Sequence, residues 1–390
     1  MNQRLTRLAR RLQDAGMDAA LLLHPRDVFY YAGTVRPAAL LVVPVNHAVD
    51  ARLFVRRGLE EARREATVAA VRPMRGFRSI THAVADQGLE PGVLGLEYDT
   101  TPAGLMERVA NAFAGWELVD VTPLVLEQRL QKDEGEIAAT RRAAQAADAG
   151  HAALARAAKA GLQELELAAE VERAMRLAGH EGYQPLRHPE ARGGGVFLMS
   201  GANLAVRGGH GLIITGAGLS PASPYGASRR VLEVGDLIVL DIGSTCDGYT
   251  ADISRTYVLG DPTPAQAALF AVASRTEEAV IESVRPGVSV AALYKRAEEV
   301  VAQGAPPHFE AGTLFLPGFI GHGVGLELDE PPVIWTRGEE VLREGMVLAV
   351  EIEVNTPTVG LMAKLEDTVV VGSDGAEVVT RAPRGLVVCG

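Results

Sequence analysis

The stretch Leu240–Val258, with the sequence LDIGSTCDGYTADISRTYV, decides the fold of the larger part of this chain. Apolar residues flank Asp241, the turn signal Asp-Gly follows at 247–248, and Asp252 lies on the returning segment. This pattern predicts a β-hairpin. The midpoint between the two aspartates falls at that turn, so Asp241 and Asp252 are expected to face each other on paired strands. Like charges placed opposite each other repel, and a bound cation would resolve the repulsion.

A second hairpin with the same arrangement is predicted near the C-terminus. The segment GMVLAVEIEV (Gly345–Val354) carries Glu351, and KLEDTVVV (Lys364–Val371) carries Glu366, with turn residues between them. The midpoint of the two glutamates falls in that turn, so they are also expected to face each other. Glu353 lies two residues after Glu351 on the same strand face, and periodicity alone leaves open which of the two points into a site.

Between the two hairpins, a histidine lies in a glycine-rich segment, GFIGHGVGLELDEPP at Gly318–Pro332. Glycines on both sides of His322 allow the backbone to approach another group closely. A donor set of four carboxylates and one imidazole suits manganese, cobalt, iron or zinc, and four carboxylate charges would balance two divalent ions. Taken singly, each residue also has an ordinary structural explanation. The candidate metal ligands are Asp241, Asp252, His322, Glu366 and one of the two glutamates Glu351 and Glu353.

The composition is that of a water-soluble globular protein. The chain has 390 residues, 47% of them hydrophobic and 22% charged, and a net charge of −11, which argues against nucleic acid as a partner. No apolar run approaches the ~18 residues of a membrane span. Two cysteines, Cys246 and Cys389, indicate neither a disulfide framework nor a zinc finger. We therefore expect a cytoplasmic protein without nucleic-acid or membrane partners.

The chain is expected to form two domains, residues 1–127 and 128–390. In the first, short apolar runs alternate with helical patterns, which is typical of an α/β domain. It shows no cluster of metal-ligating residues in its sequence, and its arginines at 56–57 and 63–64 most simply form a solvated helix face. An alanine-rich helical segment with acidic residues at its start opens the second domain. Helices grouped around antiparallel strands there predict an α+β fold.

Several motifs occur together in the order and approximate spacing of a known family: LDIGSTCDGYTADISRTYVLG, GHGVGLELDEPP, GMVLAVE and KLEDTVVV, preceded by RLQKDEGEI. With these motifs the chain resembles the metal-dependent creatinase, prolidase and aminopeptidase P family. The resemblance implies a pita-bread catalytic domain at 128–390 after a smaller creatinase-type α/β domain at 1–127. It also implies that Glu351, rather than Glu353, is the fifth ligand and acts as general base, and that the five ligands bind two metal ions, manganese first among the possible metals.

Outside the ligand set, the sequence departs from the family pattern. Asp329 stands where a second histidine is usual, Gly318 where prolidases often have another, and Lys364 where arginine is usual. Aspartate donates a proton only if its pKa is raised. Lysine lacks the planar guanidinium group with which arginine makes two parallel hydrogen bonds to one carboxylate. The segment SGANLAVRGGHG and the residues after it offer His210 or Tyr225 in place of a family histidine. Asp329 and His210 are therefore candidate catalytic residues, and Tyr225 and Lys364 are candidate substrate contacts.

The resemblance implies hydrolysis of the peptide bond before proline in dipeptides or short peptides, the activity of an Xaa-Pro dipeptidase. Three alternatives stay open. One is an Xaa-Pro aminopeptidase, and another is a related two-metal hydrolase of a non-proline amide or amidine, which the missing histidines suggest. The third is a non-catalytic peptide-binding module, which is disfavoured because every ligand position is filled. The resemblance also implies a homodimer.

Overall fold

The computed structural model describes residues 2–45, 48–187, 196–207, 215–303, 308–310, 312–358 and 360–390. The chain divides into two compact units, Met1–Arg129 and Leu130–Gly390. Each unit contains its own β-sheet. All five candidate metal ligands lie in the second, C-terminal unit.

Amphipathic periodicity explains the first helix of the N-terminal unit, α1 (Gln3–Asp14). Leu5, Leu8 and Leu12 lie on one face at helical spacing and are buried. The Asn2 side chain caps the N-terminus of the helix. The other helices of this region are α2 (Pro25–Ala32), α3 (Leu59–Glu65), α4 (Arg78–Ala85), α5 (Ala103–Ala112) and α6 (Thr122–Leu130).

Six strands form the sheet of the N-terminal unit: β1 (Ala19–Leu22), β2 (Ala38–Val45), β3 (Ala48–Val55), β4 (Ala70–Pro73), β5 (Val93–Leu96) and β6 (Glu117–Asp120). Their order across the sheet is β4-β3-β2-β1-β5-β6. Strand β2 is antiparallel to both neighbours, whereas β1, β5 and β6 are parallel, as are β3 and β4. Helices between these strands confirm the predicted α/β class of the domain.

The C-terminal unit begins with a long helix whose start is determined locally. Before α7 (Glu134–Ala157), the Asp133 carboxylate accepts from the Glu136 backbone N–H, and the Glu136 carboxylate accepts from the Asp133 N–H. This reciprocal pair is a capping box. The other helices are α8 (Glu164–Leu177), α9 (Pro264–Ser283) and α10 (Val290–Gln303). Within the described ranges, no helix is both long enough and apolar enough to cross a bilayer.

A large sheet forms the centre of the C-terminal unit. Its strands are β7 (Phe197–Ser200), β8 (Leu237–Cys246), β9 (Tyr249–Leu259), β10 (Phe319–Gly323), β11 (Glu330–Trp335), β12 (Val347–Asn355), β13 (Met362–Val371), β14 (Ala376–Val378) and β15 (Val387–Cys389). They follow the order β11-β10-β12-β13-β9-β8-β7, with β14 paired to β13 and β15 to β9. The β9–β15 pair is parallel and the other pairs are antiparallel. Helices grouped around antiparallel strands confirm the predicted α+β class.

Side-chain alternation along the central strands separates apolar from acidic residues. On β8, Leu240 and Ile242 pack with residues of α7 and α8 in one buried cluster, whereas Asp241 between them points to the opposite face. Strand β12 repeats this pattern, because the residues on either side of Glu351 pack in a cluster with α9 and α10. The helices therefore cover one face of these strands, and the carboxylates collect on the other.

Candidate metal centre

The first predicted hairpin, β8–β9, is present, but its register differs from the prediction. The Asp-Gly dipeptide at 247–248 forms a two-residue turn with φ angles of 51° and 80°. Asp241 is paired with Ser254, and Asp252 is paired with Gly243. The prediction that the two aspartates face each other directly is therefore wrong, because the tight turn shifts the pairing by two residues. They lie diagonally on one face of the sheet instead.

The second predicted hairpin, β12–β13, has the predicted register. Glu351 is paired with Glu366, which confirms that these two glutamates face each other. Glu353 is paired with Lys364 on the same face of the strands. Its carboxylate accepts a hydrogen bond from the Asn355 side-chain amide at 2.8 Å. Glu351 and Glu353 thus share a strand face but have different surroundings.

Four polar residues on adjacent strands form a continuous row across the sheet. Asp241 on β8 pairs with Ser254 on β9, Ser254 pairs with Glu366 on β13, and Glu366 pairs with Glu351 on β12. The Ser254 hydroxyl donates to Glu366 Oε2 at 2.7 Å and so orients a candidate ligand. Sequence reasoning missed Ser254, although its position two residues after Asp252 places it on the same strand face.

His322 lies on β10, beside β12, where a glycine permits an irregular strand. Gly321 has a φ angle of 150°, and a Cβ atom there would clash with a carbonyl oxygen of β12. His322 Nε2 lies 3.9 Å from Asp252 Oδ2 and 3.9 Å from Glu351 Oε1. The same nitrogen lies 3.3 Å from Asp329 Oδ1. The histidine therefore joins the carboxylates of both hairpins.

The ammonium group of Lys364 lies among the carboxylates. Its Nζ is 2.6 Å from Asp241 Oδ2, 2.9 Å from Glu351 Oε2 and 3.7 Å from Glu366 Oε2. Burial lowers the pKa of Lys364, but these carboxylates raise it by more and hold the pKa well above its ordinary value. The side chain is only 1% exposed. Lys364 therefore contacts candidate ligands, whereas the sequence suggested a contact with substrate.

The metal-free carboxylate cluster is electrostatically unfavourable. Burial, together with the neighbouring Asp241, raises the pKa of Asp252 to about 7. Burial and the Asp252 carboxylate raise the pKa of Glu366 well above its ordinary range. Burial lowers the pKa of His322, but nearby carboxylates, Asp329 first among them, raise it by more. The raised pKa values mean that the ionised form of these carboxylates is disfavoured, and a bound cation would stabilise that form.

A metal ion fits this cluster. Asp252, His322 and Glu366 each offer a ligand atom, these atoms lie within 4.8 Å of one another, and all three residues are buried. Two carboxylate oxygens and one imidazole nitrogen suit manganese, iron, cobalt or zinc. Asp241 and Glu351 are connected to this group through the buried lysine. The structure thus brings all five candidate ligands into one cluster.

Comparisons with known proteins identify the family. The profile of Metallopeptidase family M24 matches residues 138–373, and that of the Creatinase/Prolidase N-terminal domain matches residues 4–131. The chain belongs to metallopeptidase family M24. This confirms the predicted family, and with it a metallopeptidase whose pita-bread domain follows a creatinase-type N-terminal domain. Membership of M24 also implies divalent metal ions.

Relatives of this M24 chain align with it from end to end. The Xaa-Pro dipeptidase of Pyrococcus horikoshii is 27% identical over 390 residues, which cover 99% of both chains. The structure of an Xaa-Pro dipeptidase from Bacillus anthracis is similar with a TM-score of 0.84, 25% identity and 99% coverage of both chains. The structure of an X-Pro aminopeptidase from Thermotoga maritima gives a TM-score of 0.79 and 26% identity, covering 98% of this chain and 99% of that one.

The other candidate residues of this M24 chain have different positions. Asp329 lies beside His322, and its side chain is 53% exposed, so it borders the cluster on a solvent-accessible side. The Tyr225 ring makes an edge-to-face contact with the ring of Phe197 on β7, with centroids 5.9 Å apart. His210 lies outside the described residues. Phe197 is paired with Asp241 across β7 and β8, so Tyr225 contacts the strand next to a candidate ligand.

A further buried carboxylate, Glu164 at the start of α8, was missed by sequence reasoning. It accepts hydrogen bonds of 2.6–2.9 Å from the backbone and hydroxyl groups of Ser200 and Ser228 and from the side-chain amide of Asn203. The Glu164 carboxylate thereby connects the segment of Ser200 and Asn203 with the segment of Ser228, which also carries Tyr225. The sequence carried a signal, because Ser200 and Asn203 are polar residues of the segment SGANLAVRGGHG.

Proposed function

We propose that this chain is an Xaa-Pro dipeptidase that hydrolyses the peptide bond before proline in dipeptides or short peptides. The observation that carries the proposal is the buried cluster of Asp252, His322 and Glu366, with Asp241 and Glu351 beside it. This cluster occurs in a chain that is similar over its full length to Xaa-Pro dipeptidases of Pyrococcus horikoshii and Bacillus anthracis.

The five cluster residues are proposed to hold two divalent ions, with manganese favoured over cobalt, zinc and iron. Four carboxylates would neutralise two such ions, and oxygen and imidazole donors accept manganese. When bound, the ions supply a water of lowered pKa and polarise the carbonyl of the scissile bond. Measurement of bound manganese by mass spectrometry tests this proposal. Two ions per chain are expected, and saturation at one ion would contradict the dinuclear assignment.

Side chains around the cluster are proposed to hold and move protons. Glu351 is the proposed general base, because its Oε2 lies 2.9 Å from the ammonium nitrogen of a buried lysine while its Oε1 lies 3.9 Å from His322 Nε2. This arrangement fixes the carboxylate and leaves one oxygen directed toward the cluster. Asp329 is proposed as a catalytic residue that contacts substrate from the solvent-accessible side. His210 and Tyr225 are proposed as further catalytic and substrate-contacting residues.

An Xaa-Pro aminopeptidase is the second candidate. It is supported by the similarity to the X-Pro aminopeptidase from Thermotoga maritima, which extends over nearly the whole of both chains. The two activities differ in whether the substrate continues beyond proline. A hydrolase of a non-proline amide is a third candidate, supported by Asp329 and Gly318 at positions where family members usually have histidine.

Hydrolysis of matched peptides separates these candidates. The manganese- or cobalt-loaded protein is assayed with a dipeptide ending in proline and with a tripeptide that has proline second. We expect cleavage of the dipeptide alone. Preference for the tripeptide would indicate an aminopeptidase, and cleavage of neither peptide by metal-loaded protein would contradict proline specificity. The Asp252→Ala variant is the control and is expected to lose bound metal and all hydrolysis.

We further propose that the protein is a cytoplasmic homodimer. The family resemblance supports the dimer, and the two unpaired cysteines suit a reducing compartment. Light scattering at micromolar concentration is expected to give twice the chain mass, and a monomer would contradict the dimer.

A further inference from the structure

A cavity of about 380 Å³ lies entirely within the N-terminal unit. Arg56, Arg57, Arg75 and Arg108 line it, and none of the described residues that line it is acidic. Its volume is within the range of small-molecule sites, roughly 300–1,000 Å³. Because the whole chain has a net charge of −11, four arginines around one cavity are not the by-product of a generally basic surface.

The cavity lies at the edge of the sheet where open α/β folds bind ligands. Leu23 follows β1, Arg56 and Arg57 follow β3, and the lining residues at 74–77 follow β4. Strands β1 and β3 run in the same direction because both are antiparallel to β2, and β4 is parallel to β3. The cavity is therefore bordered by the carboxyl ends of three strands, the usual position of a ligand in such sheets.

The cavity arginines differ from several other arginines of the same unit in their charge partners. In the described part of the chain, none of the four has a carboxylate within ion-pair distance. Several other arginines of the unit are paired: Arg36 with Glu65, Arg52 with Asp50, Arg63 with Glu60, and Arg64 with Glu61. Glu97 follows β5 and is buried, and its carboxylate accepts hydrogen bonds from the backbone N–H groups of Leu23 and His24.

This arrangement also corrects an expectation from the sequence. Arg63 and Arg64 do lie on the helix α3, with exposed side chains. Arg56 and Arg57 precede that helix and line the cavity. The expectation of a shared solvated helix face is therefore wrong for the first pair, because the helix begins only after a glycine in the left-handed conformation, Gly58.

We propose that this cavity binds a small phosphate ester with an apolar or aromatic body. Guanidinium groups bind phosphate oxygens through paired hydrogen bonds, and several together match a dianionic group. The other lining residues are apolar, among them Met74, Phe77 and Leu105. The Arg108 guanidinium carbon lies 5.7 Å from the centre of the Phe77 ring, which joins the charged and apolar parts of the cavity. The proposal is independent of the peptidase function.

Calorimetric titration of the full-length protein tests the proposed ligand class. Phenyl phosphate is the probe, with inorganic phosphate and the dicarboxylate phthalate for comparison. We expect saturable binding of one phenyl phosphate per chain, weaker binding of inorganic phosphate, which lacks a ring, and a loss of affinity as salt is added. Absence of saturable binding at millimolar phenyl phosphate would overturn the proposal. Tighter binding of phthalate would overturn the assignment to phosphate esters.

Variants locate the binding to the cavity. The Arg56→Ala/Arg108→Ala variant is expected to bind phenyl phosphate at least about tenfold more weakly, because charged hydrogen bonds are lost. The Arg63→Ala/Arg64→Ala variant removes the same charge from arginines that have partners, and is expected to stay within about twofold of wild type. Ala38→Leu narrows the cavity without changing charge and should also weaken binding. Wild-type affinity in the first variant, or an equal loss in the second, would overturn the proposal.

Discussion

The two carboxylate hairpins of the C-terminal unit place their acidic side chains differently on the same sheet. On β12 and β13, Glu351 and Glu366 are directly paired. On β8 and β9, Asp241 is paired with Ser254, so Asp252 lies at a diagonal position. Direct pairing of like charges is unfavourable, and a buried ammonium group lies 2.9 and 3.7 Å from the two glutamates. The directly paired hairpin therefore places two carboxylates side by side next to a cation, and the same ammonium group lies 2.6 Å from Asp241 of the diagonal hairpin.

The connections between the strands account for the difference in register. The β8–β9 hairpin closes with two residues at 247–248, both with positive φ, so its register is set by the turn itself. The β12–β13 hairpin has a longer connection at 356–361, in which the Thr356 hydroxyl donates to the Leu361 carbonyl oxygen at 2.8 Å. Register there follows from strand contacts rather than from one tight turn. One hairpin is therefore organised by its turn, and the other by the contacts between its strands.

The largest expected effect comes from replacing one carboxylate of the directly paired hairpin. Glu351→Gln is expected to lower kcat on a proline dipeptide by about 10³-fold, since a general base contributes roughly 10²–10⁴-fold, and to reduce bound metal. Glu353→Gln removes the same charge from the same strand face, but its carboxylate is held by Asn355. It should retain metal and most activity. Equal loss of manganese from both variants, measured by mass spectrometry, would contradict the choice of Glu351.

Much of the fold could be predicted because its signals are local. Three such signals each act within a few residues: the apolar runs of β1 and β5, the leucine spacing of α1, and the acidic residues at the start of α7. The pairing of Glu351 with Glu366 could be predicted because both lie in strong strand patterns around one connection. The register at 247–248 was missed because the two aspartates were assumed to be symmetric about the turn.

The rest of the site could not be predicted because it depends on contacts between distant segments. Lys364 contacts Asp241 across the sheet, and the sequence alone gives no sign that an ammonium group would lie between ligands from different hairpins. Ser254 gains its role only because β9 lies beside β13. The cavity arginines likewise come together only when three strand ends share one edge of a sheet.

A second expected effect is on the stability of the metal-free protein. Lys364→Met removes the buried ammonium group that contacts both hairpins and leaves the carboxylates without a cation. Breaking a buried ion pair by removing one partner costs about 3–5 kcal/mol, so the metal-free variant should unfold at clearly lower urea concentration. Manganese should restore more stability to this variant than to wild type, because the ion would supply the missing positive charge.

The control for this comparison is Lys364→Arg, which keeps the charge and is expected to lose less stability. Unfolding of wild type and both variants is followed by circular dichroism after dialysis against a chelator. A metal-free Lys364→Met variant as stable as wild type would show that the directly paired hairpin does not need the cation.

A smaller effect is expected at a histidine packed against the diagonal hairpin. His151 Nδ1 lies 2.8 Å from the Tyr257 hydroxyl oxygen of β9, and burial lowers the pKa of His151 from its ordinary 6.5 to about 3. In the unfolded chain this histidine gains a proton below about pH 6.5, whereas the folded chain keeps it neutral. Protonation of His151 in the unfolded chain therefore lowers the free energy of unfolding as pH falls from about 6.5 toward 3, by about 1.4 kcal/mol per pH unit.

The variant His151→Gln has no charge to gain over this range. Between pH 6.5 and about pH 5 it should lose roughly 2 kcal/mol less unfolding free energy than wild type, as measured by urea unfolding at each pH. The difference between the two slopes isolates this residue, since the other titrating groups are shared. Parallel pH profiles for the two proteins would show that His151 is not neutral in the folded hairpin.

The smallest expected effect tests whether the turn sets the diagonal register. Gly248 has a φ angle of 80°, which costs an L-residue with a side chain about 1–2 kcal/mol. Gly248→Ala should lower the unfolding free energy by about 1 kcal/mol, whereas Gly375→Ala, at a glycine with open space around it, should change it by less than about 0.5 kcal/mol. Both are measured by urea unfolding. If Gly248→Ala cost no more than its control, the two-residue turn would not be what holds Asp241 opposite Ser254, and the register would have to follow from strand contacts as in the other hairpin.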